Sequence, residues 1–365
     1  MKYDLVFNNT EKAVFALREL FSNYGFKQYK MSKFEEYDLY AKNKDFLLSE
    51  NVITFTDTDG HLMALKPDVT LSIIKNGKDK QGLEKVFYNE TVYRVSKGTK
   101  SFKEFMQVGL ECFGDIDEYE IVEVLYLATQ SLKIVSDDYL LDISHLDFVK
   151  GLFNSVGLSY DGSKKVIKCL AEKNAQGVFN ACIEQGLSTD QANLIKSLVS
   201  IYGNPKTVIE KLYALKLNEQ CLCSLQSLEN IVNALCDLGV GDKIRLDFSV
   251  VNDMNYYNGI VFNGFISGIP TSILSGGQYD NLMGKMQRKD KAIGFAVYLD
   301  ELEKLVNVEN DFDTDVAIEY GNCRNLNKIN TVVKQIIDGG ERVFSAKIIP
   351  EKLKYRRLIK IKEEN

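Results

Sequence analysis

The chain has 365 residues, of which 45% are hydrophobic and 26% charged, so it is long enough to bury a full core in two or three structural units. Its formal net charge of −6 argues against the broad electropositive surface that non-specific nucleic-acid binding requires. Because no segment approaches about 18 consecutive apolar residues and no signal sequence is recognisable, we expect a cytoplasmic protein with no membrane partner.

The amino-terminal third is predicted to mix helices and strands. Residues 10–24 begin with a threonine cap and carry apolar residues at helical spacing, which predicts a first helix. Two extended segments within 52–65 flank an Asp-Gly pair and predict a hairpin. A short helix is predicted to begin at Pro67, and residues 86–88 and 104–113 predict an antiparallel pair of strands.

The middle of the chain is mainly helical. A helix is predicted for 117–134 and a strand for 139–143, and residues 146–237 contain many helical segments with almost no strand signal. Strands are then predicted at 244–249, 259–262 and 271–274, and a helix is predicted at 294–306. Because strands and helices do not alternate strictly, the order favours an α+β fold with an antiparallel sheet flanked by helices.

One joint of low hydrophobicity, at residues 307–315, suggests the domain boundary. We predict a core of residues 1–312, with a helical insertion at about 146–237, and a small carboxyl-terminal α/β unit of residues 313–365. That unit is predicted to contain a strand, a helix and a second strand at 315–320, 325–337 and 342–345. The seven cysteines form no Cys-x-x-Cys pair and the chain has only two histidines, so we predict reduced thiols, no metal and no cofactor.

Two pairs of side chains indicate a binding site. Gln107 and Glu111 are four residues apart on a predicted strand, and even spacing places both on one face. An amide and a carboxylate that enter one pocket suit an ammonium group, although a solvated strand face is the alternative. Tyr256 and Tyr257 offer apolar rings with polar tips, which suit a half-polar ring; packing at a sheet edge is the alternative.

Six segments, in consistent order over about 300 residues, resemble the signature motifs of histidyl-tRNA synthetases. They are Leu65-Lys-Pro-Asp-Val-Thr70, Phe87-Tyr-Asn-Glu-Thr-Val-Tyr-Arg94, Phe105-Met-Gln-Val-Gly-Leu-Glu-Cys-Phe-Gly114, Asn255-Tyr-Tyr-Asn-Gly259, Ser275-Gly-Gly-Gln-Tyr-Asp280 and Ala292-Ile-Gly-Phe-Ala-Val-Tyr-Leu-Asp-Glu-Leu302. The resemblance implies a class II aminoacyl-tRNA synthetase core in which Gly276-Gly277 forms a turn.

The resemblance also implies which residues hold histidine. In that family an acid and a threonine contact the amino group, an arginine meets the carboxylate and the nucleotide, and tyrosines line the imidazole pocket. A planar guanidinium suits the bidentate contact with a carboxylate. The corresponding positions in this chain are Asp68, Thr70, Arg94, Gln107, Glu111, Tyr256 and Tyr257.

Three positions depart from the family where it handles ATP and the adenylate. Glu301 replaces the arginine that holds the ATP phosphates, Ser96 replaces an acid after the motif arginine, and Asn252 replaces the arginine that opens the recognition loop. Positioned cations usually stabilise the charge that develops on the phosphates, so we expect synthetase activity to be lost. The carboxyl-terminal unit, about half the length of the family's anticodon-binding domain, implies that no tRNA is bound.

One branch of the family, the regulatory subunits of ATP phosphoribosyltransferase, fits this combination. Residues 65–70 resemble the motif of that branch, Leu-Arg-Pro-Asp-x-Thr, more closely than the synthetase motif Leu-Arg-Pro-Glu-Gly-Thr. The resemblance implies a non-catalytic protein that assembles with a short-form catalytic subunit in the first step of L-histidine biosynthesis. It also implies self-dimers through the core, within a hetero-octamer, and L-histidine as the allosteric ligand. The dimerising motif corresponds to residues 24–38.

Two alternatives from sequence are an active histidyl-tRNA synthetase and a synthetase paralogue that activates another substrate or modifies a protein. Histidine-dependent exchange between ATP and pyrophosphate distinguishes the first, and ATP binding without histidine favours the second. The sequence also leaves open whether the pocket or a subunit interface is the inhibitory histidine site, and which surface meets the catalytic subunit.

Overall fold

The computed structural model describes residues 9–43, 52–77, 82–95, 101–251, 256–304 and 312–361, apart from the side chains of residues 160, 301, 303 and 304. The chain divides into two compact units, one of residues 10–302 and one that holds residues 303–365. Each unit is described by itself. The domain boundary predicted at residues 312 and 313 stays a prediction.

The helices of the described ranges are α1 (Asn9–Asn23), α2 (Tyr37–Lys42), α3 (Thr70–Asn76), α4 (Glu118–Val135), α5 (Leu146–Ser155), α6 (Tyr160–Ala171), α7 (Ala175–Glu184), α8 (Thr189–Ser197), α9 (Pro205–Tyr213), α10 (Glu219–Asp237), α11 (Asp280–Lys285) and α12 (Leu326–Asp338). Short 3₁₀ helices are Gly241–Lys243 and Leu299–Lys304. The strands are β1 (Lys27–Gln28), β2 (Phe34–Glu36), β3 (Thr54–Thr56), β4 (Leu62–Leu65), β5 (Glu84–Val95), β6 (Phe102–Gly114), β7 (Tyr139–His145), β8 (Tyr202–Gly203), β9 (Ile244–Asp247), β10 (Asn258–Ile266), β11 (Leu274–Gln278), β12 (Lys291–Tyr298), β13 (Thr314–Glu319), β14 (Val343–Ala346) and β15 (Tyr355–Lys360).

A large mixed sheet organises the unit of residues 10–302. Within the described ranges it has nine strands in the order β1-β5-β6-β12-β11-β10-β7-β9-β8. Neighbouring strands are antiparallel except in the β1–β5 and β7–β9 pairs. The predicted α+β fold with a mainly antiparallel sheet is therefore confirmed. The predicted hairpin is also present as β3 and β4, with Gly60 at a φ of 88° in its turn.

The two faces of the central strands pack against different clusters of side chains. Leu110 of β6 and Phe295 of β12 lie in register on one face and belong to the main hydrophobic core. Helices α1 and α4 contribute to that core, and the Phe21 ring of α1 meets the Phe295 ring at 5.9 Å. Because side chains alternate along a strand, the residues between these core positions face the other side, where a second cluster contains tyrosines.

The helices α5 to α10 occupy most of residues 146–237, between β7 and β9. Their ends carry the expected caps. Ser188 accepts a hydrogen bond from the Gln191 backbone while the Gln191 side chain accepts one from the backbone N–H of Ser188, which is a capping box. Asn204 caps α9 just before Pro205 at its first turn. The apolar sides of these helices join the main core through residues such as Leu152 and Leu228.

Three local predictions are wrong, and a central strand explains each. Residues 294–306 are not one helix, because β12 continues to Tyr298 and a 3₁₀ helix follows. The strand predicted at 271–274 begins only at Leu274, and Gly276-Gly277 lies within it rather than in a turn. Both strands are buried on two faces, so their apolar runs lack the alternation that identifies a half-exposed strand.

The unit that holds residues 303–365 contains a three-stranded parallel sheet in the order β14-β13-β15, with α12 between β13 and β14 in the chain. The predicted strand, helix and second strand are β13, α12 and β14, whereas β15 was not predicted. Residues 307–311 of the predicted linker lie outside the described residues.

Candidate functional site

One cavity of the larger unit is lined by all seven residues that the sequence assigns to histidine binding. The space between its walls, including the part open to solvent, is about 500 Å³. The residues brought together are Asp68, Thr70, Arg94, Gln107, Glu111, Tyr256 and Tyr257. Their role in binding histidine stays a prediction.

Strand register places the polar side chains on the floor of this cavity. Gln107 and Glu111 lie on β6 and are only 3% and 2% exposed. Glu111 is opposite Gly294 of β12, and Gln107 is opposite Tyr298. Because the even spacing directs both polar side chains to one buried face, the alternative of a solvated strand face is wrong.

Glycine leaves the room that this floor requires. A Cβ on Gly294 would lie 1.8 Å from Glu111 Oε2, and a Cβ on Gly277 would lie 2.9 Å from Cδ1 of Tyr257. Side chains essentially never approach so closely, so β11 and β12 need glycine where the carboxylate and the tyrosine ring pack against the backbone. The Gly-Gly motif therefore shapes the cavity instead of reversing the chain.

Two hydroxyl groups hold Glu111. Thr70 Oγ1 donates to Oε1 at 2.7 Å, and the Tyr279 hydroxyl donates to Oε2 at 2.6 Å. Burial raises the pKa of Glu111 to about 8; the two hydroxyl donors oppose this increase and the nearby Asp68 carboxylate adds to it. Because this pKa lies near neutrality, a ligand that donates hydrogen bonds or carries positive charge favours the ionised form of Glu111.

Arg94 reaches from the end of β5 to the loop before α3. Its Nε donates to the carbonyl of Pro67 at 2.6 Å, and its Nη2 lies 3.6 Å from Asp68 Oδ2. Asp68 also accepts a hydrogen bond of 2.9 Å from the backbone N–H of Leu71. Burial raises the pKa of Asp68, while the Arg94 guanidinium opposes that shift. The cavity thus contains both signs of charge.

A buried ion pair that sequence analysis missed supports the same loop. The Lys66 side chain is fully buried, and its Nζ lies 2.8 Å from Glu90 Oε2. Glu90 lies on β5 opposite Gln107 of β6, so the pair fixes the chain just before Asp68 against the floor strands. Burial lowers the pKa of Lys66, and Glu90 opposes that shift. Lysine is rarely buried, and nothing in the sequence around it signals that it is.

Tyrosines form the apolar part of the lining. The rings of Tyr256 and Tyr257 meet edge to face with centroids 4.6 Å apart, and the Tyr256 ring lies 6.1 Å from that of Tyr279. Tyr256 is 8% exposed, and the strand that follows it, β10, lies inside the sheet between β11 and β7, so the alternative of packing at a sheet edge is wrong. Sequence analysis missed Tyr279 as well as Tyr88, Ser275 and Tyr298, which also line the cavity. Tyr279 and Ser275 lie within the quoted Gly-Gly motif, which was the signal available.

An acidic side chain just beyond the end of β12 binds the backbone of β6. The backbone N–H of Met106 donates to the two oxygens of Asp300 at 3.1 and 3.3 Å. Glu301 follows in the same 3₁₀ helix, and its side chain lies outside the described part of the structure. Ser96 and Asn252 also lie outside the described residues. The Asp300 carboxylate is therefore next in sequence to Glu301, which is predicted to replace the family's phosphate-binding arginine.

Other ligand classes find no support in the residues that the structure describes. These residues contain no group of three or more histidine, cysteine, aspartate or glutamate side chains arranged to hold a metal ion. All seven cysteines are free thiols. Among the described helices, none is long and apolar enough to cross a membrane.

The chemistry of the cavity suits a small zwitterion with a ring. The carboxyl groups of Asp68 and Glu111 and the Gln107 amide offer acceptors to an ammonium group, and the Arg94 guanidinium offers donors to a carboxylate. Tyrosine rings with hydroxyl tips suit a ring that is partly polar. An amino acid with a heteroaromatic side chain has all three features.

Comparison with known proteins places the whole core in one family. The family model described as histidyl-tRNA synthetase matches residues 6–302. The ATP phosphoribosyltransferase regulatory subunit of Caldanaerobacter subterraneus subsp. tengcongensis is 30% identical over 294 residues, which cover 78% of this chain and 75% of that protein.

Solved structures share the fold. An ATP phosphoribosyltransferase regulatory subunit/histidyl-tRNA synthetase from Bacillus halodurans has a TM-score of 0.80 and 24% identity, covering 97% of this chain and 94% of that one. The ATP phosphoribosyl transferase (HisG:HisZ) complex from Thermotoga maritima contains a chain with a TM-score of 0.63 and 18% identity, covering 80% and 97%. At these identities the likeness shows the fold alone.

Proposed function

The chain belongs to the histidyl-tRNA synthetase family and, within it, to the ATP phosphoribosyltransferase regulatory subunits, and from this premise we propose that it is a histidine-binding partner without synthetase activity. As a member of that branch it is a regulatory subunit of ATP phosphoribosyltransferase, in the first step of histidine biosynthesis. Its partner is the catalytic subunit of that enzyme, which we propose is the short form.

The observation that carries the histidine proposal is the charge arrangement of the cavity. The Arg94 guanidinium lies 3.6 Å from Asp68 and the hydroxyl-bonded Glu111 lies on the adjacent floor, so both ends of a zwitterionic backbone find partners. Feedback inhibition then requires only that histidine binds one state of the assembly better than another. The subunit thus serves as the sensor of the assembly.

We infer the loss of adenylation from the acidic residues that follow β12. The Asp300 carboxylate caps the Met106 N–H, and Glu301 replaces the family's phosphate-binding arginine. Two like charges about 4 Å apart repel by roughly 4 kcal/mol at an effective dielectric of about 20, so the phosphates of ATP meet repulsion where the family supplies attraction. We infer that neither adenylate formation nor tRNA charging takes place.

Calorimetric titration of histidine into the isolated chain tests the ligand. We expect saturable binding that Gln107→Ala weakens by about tenfold, because the variant removes a buried amide acceptor from the floor. A matched control is Gln226→Ala, on the exposed side of α10, which should bind histidine like the wild type. Equal affinity in all three proteins would exclude this cavity as the histidine site.

A second experiment tests the absence of chemistry. The purified chain should show no histidine-dependent exchange between ATP and pyrophosphate, but it should activate a short-form phosphoribosyltransferase when the two are mixed. Adding histidine should then inhibit the assembled enzyme. Measurable exchange would favour an active synthetase, and failure to activate the catalytic subunit would contradict the regulatory role.

Self-association through the core is the last part of the proposal. The small sheet β2-β4-β3 exposes Phe34 and Phe55, which are 50% and 37% exposed and whose rings lie 5.3 Å apart. Phe34 lies in the segment that resembles the family's dimerising motif, so we propose that a second copy covers this sheet within a hetero-octamer. Sedimentation should find dimers for the wild type and for the exposed control Tyr119→Glu, and monomers for Phe34→Glu; dimeric Phe34→Glu would contradict the proposal.

A further inference from the structure

We propose that Tyr279 is a positioning residue for ligand binding, which fixes the Glu111 carboxylate so that its free side faces the cavity. This inference rests on the proposed binding of histidine in the same cavity. Tyr279 belongs to neither the predicted histidine contacts nor the positions lost from the nucleotide site. It follows from one hydrogen bond and from the way the backbone holds both partners.

The backbone holds Tyr279 firmly. Its N–H donates to the carbonyl of Ala292 at 2.9 Å, which extends the β11–β12 ladder by one residue. Its carbonyl accepts from the N–H groups of Leu282 and Met283 at the start of α11. The side chain is 2% exposed. Because a strand ends just before this residue and a helix begins just after it, its hydroxyl has a fixed position relative to the floor of the cavity.

The contacts of Glu111 leave one direction open. Tyr279 and Thr70 each donate a hydroxyl to a different carboxylate oxygen, at 2.6 and 2.7 Å. The backbone of Gly294 lies directly against Oε2, since even a Cβ there would come within 1.8 Å. Within the described part of the chain no lysine, arginine or histidine forms an ion pair with Glu111. The remaining acceptor capacity therefore points to the cavity that Glu111 lines.

The groups that face Glu111 determine whether it can accept a hydrogen bond. Asp68 from the loop before α3 disfavours its ionised form, and Tyr279 and Thr70 favour it. Beyond burial, the charge of Glu111 contributes to the raised pKa values of the Tyr88 and Tyr256 hydroxyl groups. The Lys85 ammonium group acts on the neighbouring Cys112, whose pKa burial raises and this ammonium group lowers. An ionised carboxylate accepts hydrogen bonds from ligand N–H groups more strongly than the protonated carboxyl group does. The Tyr279 hydroxyl therefore orients the carboxylate and also keeps its ionised form accessible.

The variant Tyr279→Phe removes only the hydroxyl. Hydrogen bonds to charged groups are strong, and losing one corresponds to roughly a tenfold to hundredfold change in affinity. We expect histidine to bind Tyr279→Phe about tenfold more weakly at pH 7, and the deficit to shrink at pH 8.5 because more Glu111 is ionised there. The ratio of the two dissociation constants at each pH cancels the titration of histidine itself.

Tyr40→Phe is the matched control. Tyr40 belongs to the same tyrosine-containing cluster, is fully buried, and its hydroxyl is buried without a hydrogen-bond partner in the described structure. It does not line the cavity. We therefore expect Tyr40→Phe to bind histidine with unchanged affinity at both pH values, which separates the loss of a hydroxyl from the loss of this hydrogen bond.

A second readout does not depend on histidine. The carbon-13 signal of the Glu111 carboxyl group, assigned by its loss in Glu111→Gln, should titrate at higher pH in Tyr279→Phe than in the wild type and at unchanged pH in Tyr40→Phe. Identical titrations in the wild type and Tyr279→Phe would overturn the positioning role. Absence of histidine binding to the wild type would instead overturn the proposed ligand, while the carboxyl titration still decides the role of Tyr279.

Discussion

The carboxyl groups of the cavity, which we propose as the amino-acid side of the site, and those that follow β12, which we propose as its nucleotide side, are used in opposite ways. On the amino-acid side, Glu111 and Asp68 are buried, are held by donors, and share the cavity with the Arg94 guanidinium. On the other side, the Asp300 carboxylate accepts a hydrogen bond from the backbone N–H of Met106, and Glu301 stands where the family has an arginine. We propose that one side receives charged groups and that the other repels phosphates.

This difference shows which parts of an enzyme site are easily lost. The amino-acid side depends on buried features that support one another, such as Gly294 beneath Glu111 and the Lys66–Glu90 pair. Removing one partner of a buried pair typically costs about 3–5 kcal/mol, so changes there endanger folding. On our proposal, a sensor of histidine can therefore arise when only the nucleotide side changes.

The largest expected effect comes from filling the space under the carboxylate. In Gly294→Ala the new methyl group would overlap Glu111 Oε2 and approach the Leu110 carbonyl within 2.5 Å, so the carboxylate must leave its position. We expect histidine affinity to fall by about a hundredfold, because a charge-assisted contact is lost and its partners are displaced. Calorimetry measures the affinity, and circular dichroism verifies that the variant is folded.

Gly284→Ala provides the control for this prediction. Gly284 lies in α11, and a Cβ there would meet nothing within 4 Å. Alanine is favoured over glycine in a helix by up to about 1 kcal/mol, so the control should be at least as stable as the wild type and bind histidine equally well. If Gly294→Ala also bound normally, the Glu111 carboxylate would not be part of the histidine site.

Most of the fold was predictable because its elements carry local signals. The β3–β4 hairpin was recognised from its Asp-Gly turn, and α4 from its periodicity, which Asp117 completes with a capping box. The failures lie in β11 and β12, where both faces are buried and small residues replace the usual alternation. At Gly294 and Gly276 the sequence records a packing requirement that depends on strands distant in the chain, which no local pattern reveals.

The site was predictable where a motif preserves both residue type and spacing. Gln107 and Glu111 follow from even spacing on a strand, and all seven proposed histidine contacts line one cavity. Tyr279 was not selected, although it lies in a quoted motif, because its importance depends on a hydrogen bond to a residue 168 positions away. The Lys66–Glu90 pair was missed for the same reason: its energetics depend on burial, which the sequence around Lys66 does not show.

A medium effect is expected in the pH dependence of folding stability, which isolates the cost of ionising Glu111. Burial raises the pKa of Glu111 from the ordinary 4.5 to about 8, so the protonated group is favoured in the folded state. The wild type therefore loses stability as the pH rises from about 4.5 to about 8, and the loss is complete above that range. Glu111→Gln lacks this loss.

Urea unfolding of both proteins between pH 5 and pH 8, without ligand, measures the difference. We expect the stability of Glu111→Gln relative to the wild type to increase across this range by a few kcal/mol, since one pKa unit corresponds to about 1.4 kcal/mol. Glu184→Gln makes the same change at an exposed carboxylate paired with Lys165 and controls for the substitution itself. Parallel curves for Glu111→Gln and the wild type would mean that Glu111 ionises normally without ligand.

The smallest expected effect tests the nucleotide side. Glu301→Arg exchanges the acid for the cation of the family, so ATP binding should strengthen by about fivefold to tenfold, a gain of about 1 kcal/mol that suits a partly screened charge. Glu210→Arg makes the same charge change at an exposed position of α9 that does not line the cavity, and should change ATP binding less. Exchange between ATP and pyrophosphate should stay absent in both variants, because Ser96 and Asn252 still replace the family's residues. Equal ATP binding by the two variants would mean that the missing arginine does not distinguish the two sides. Restored exchange in Glu301→Arg would show that this single position had removed the synthetase chemistry.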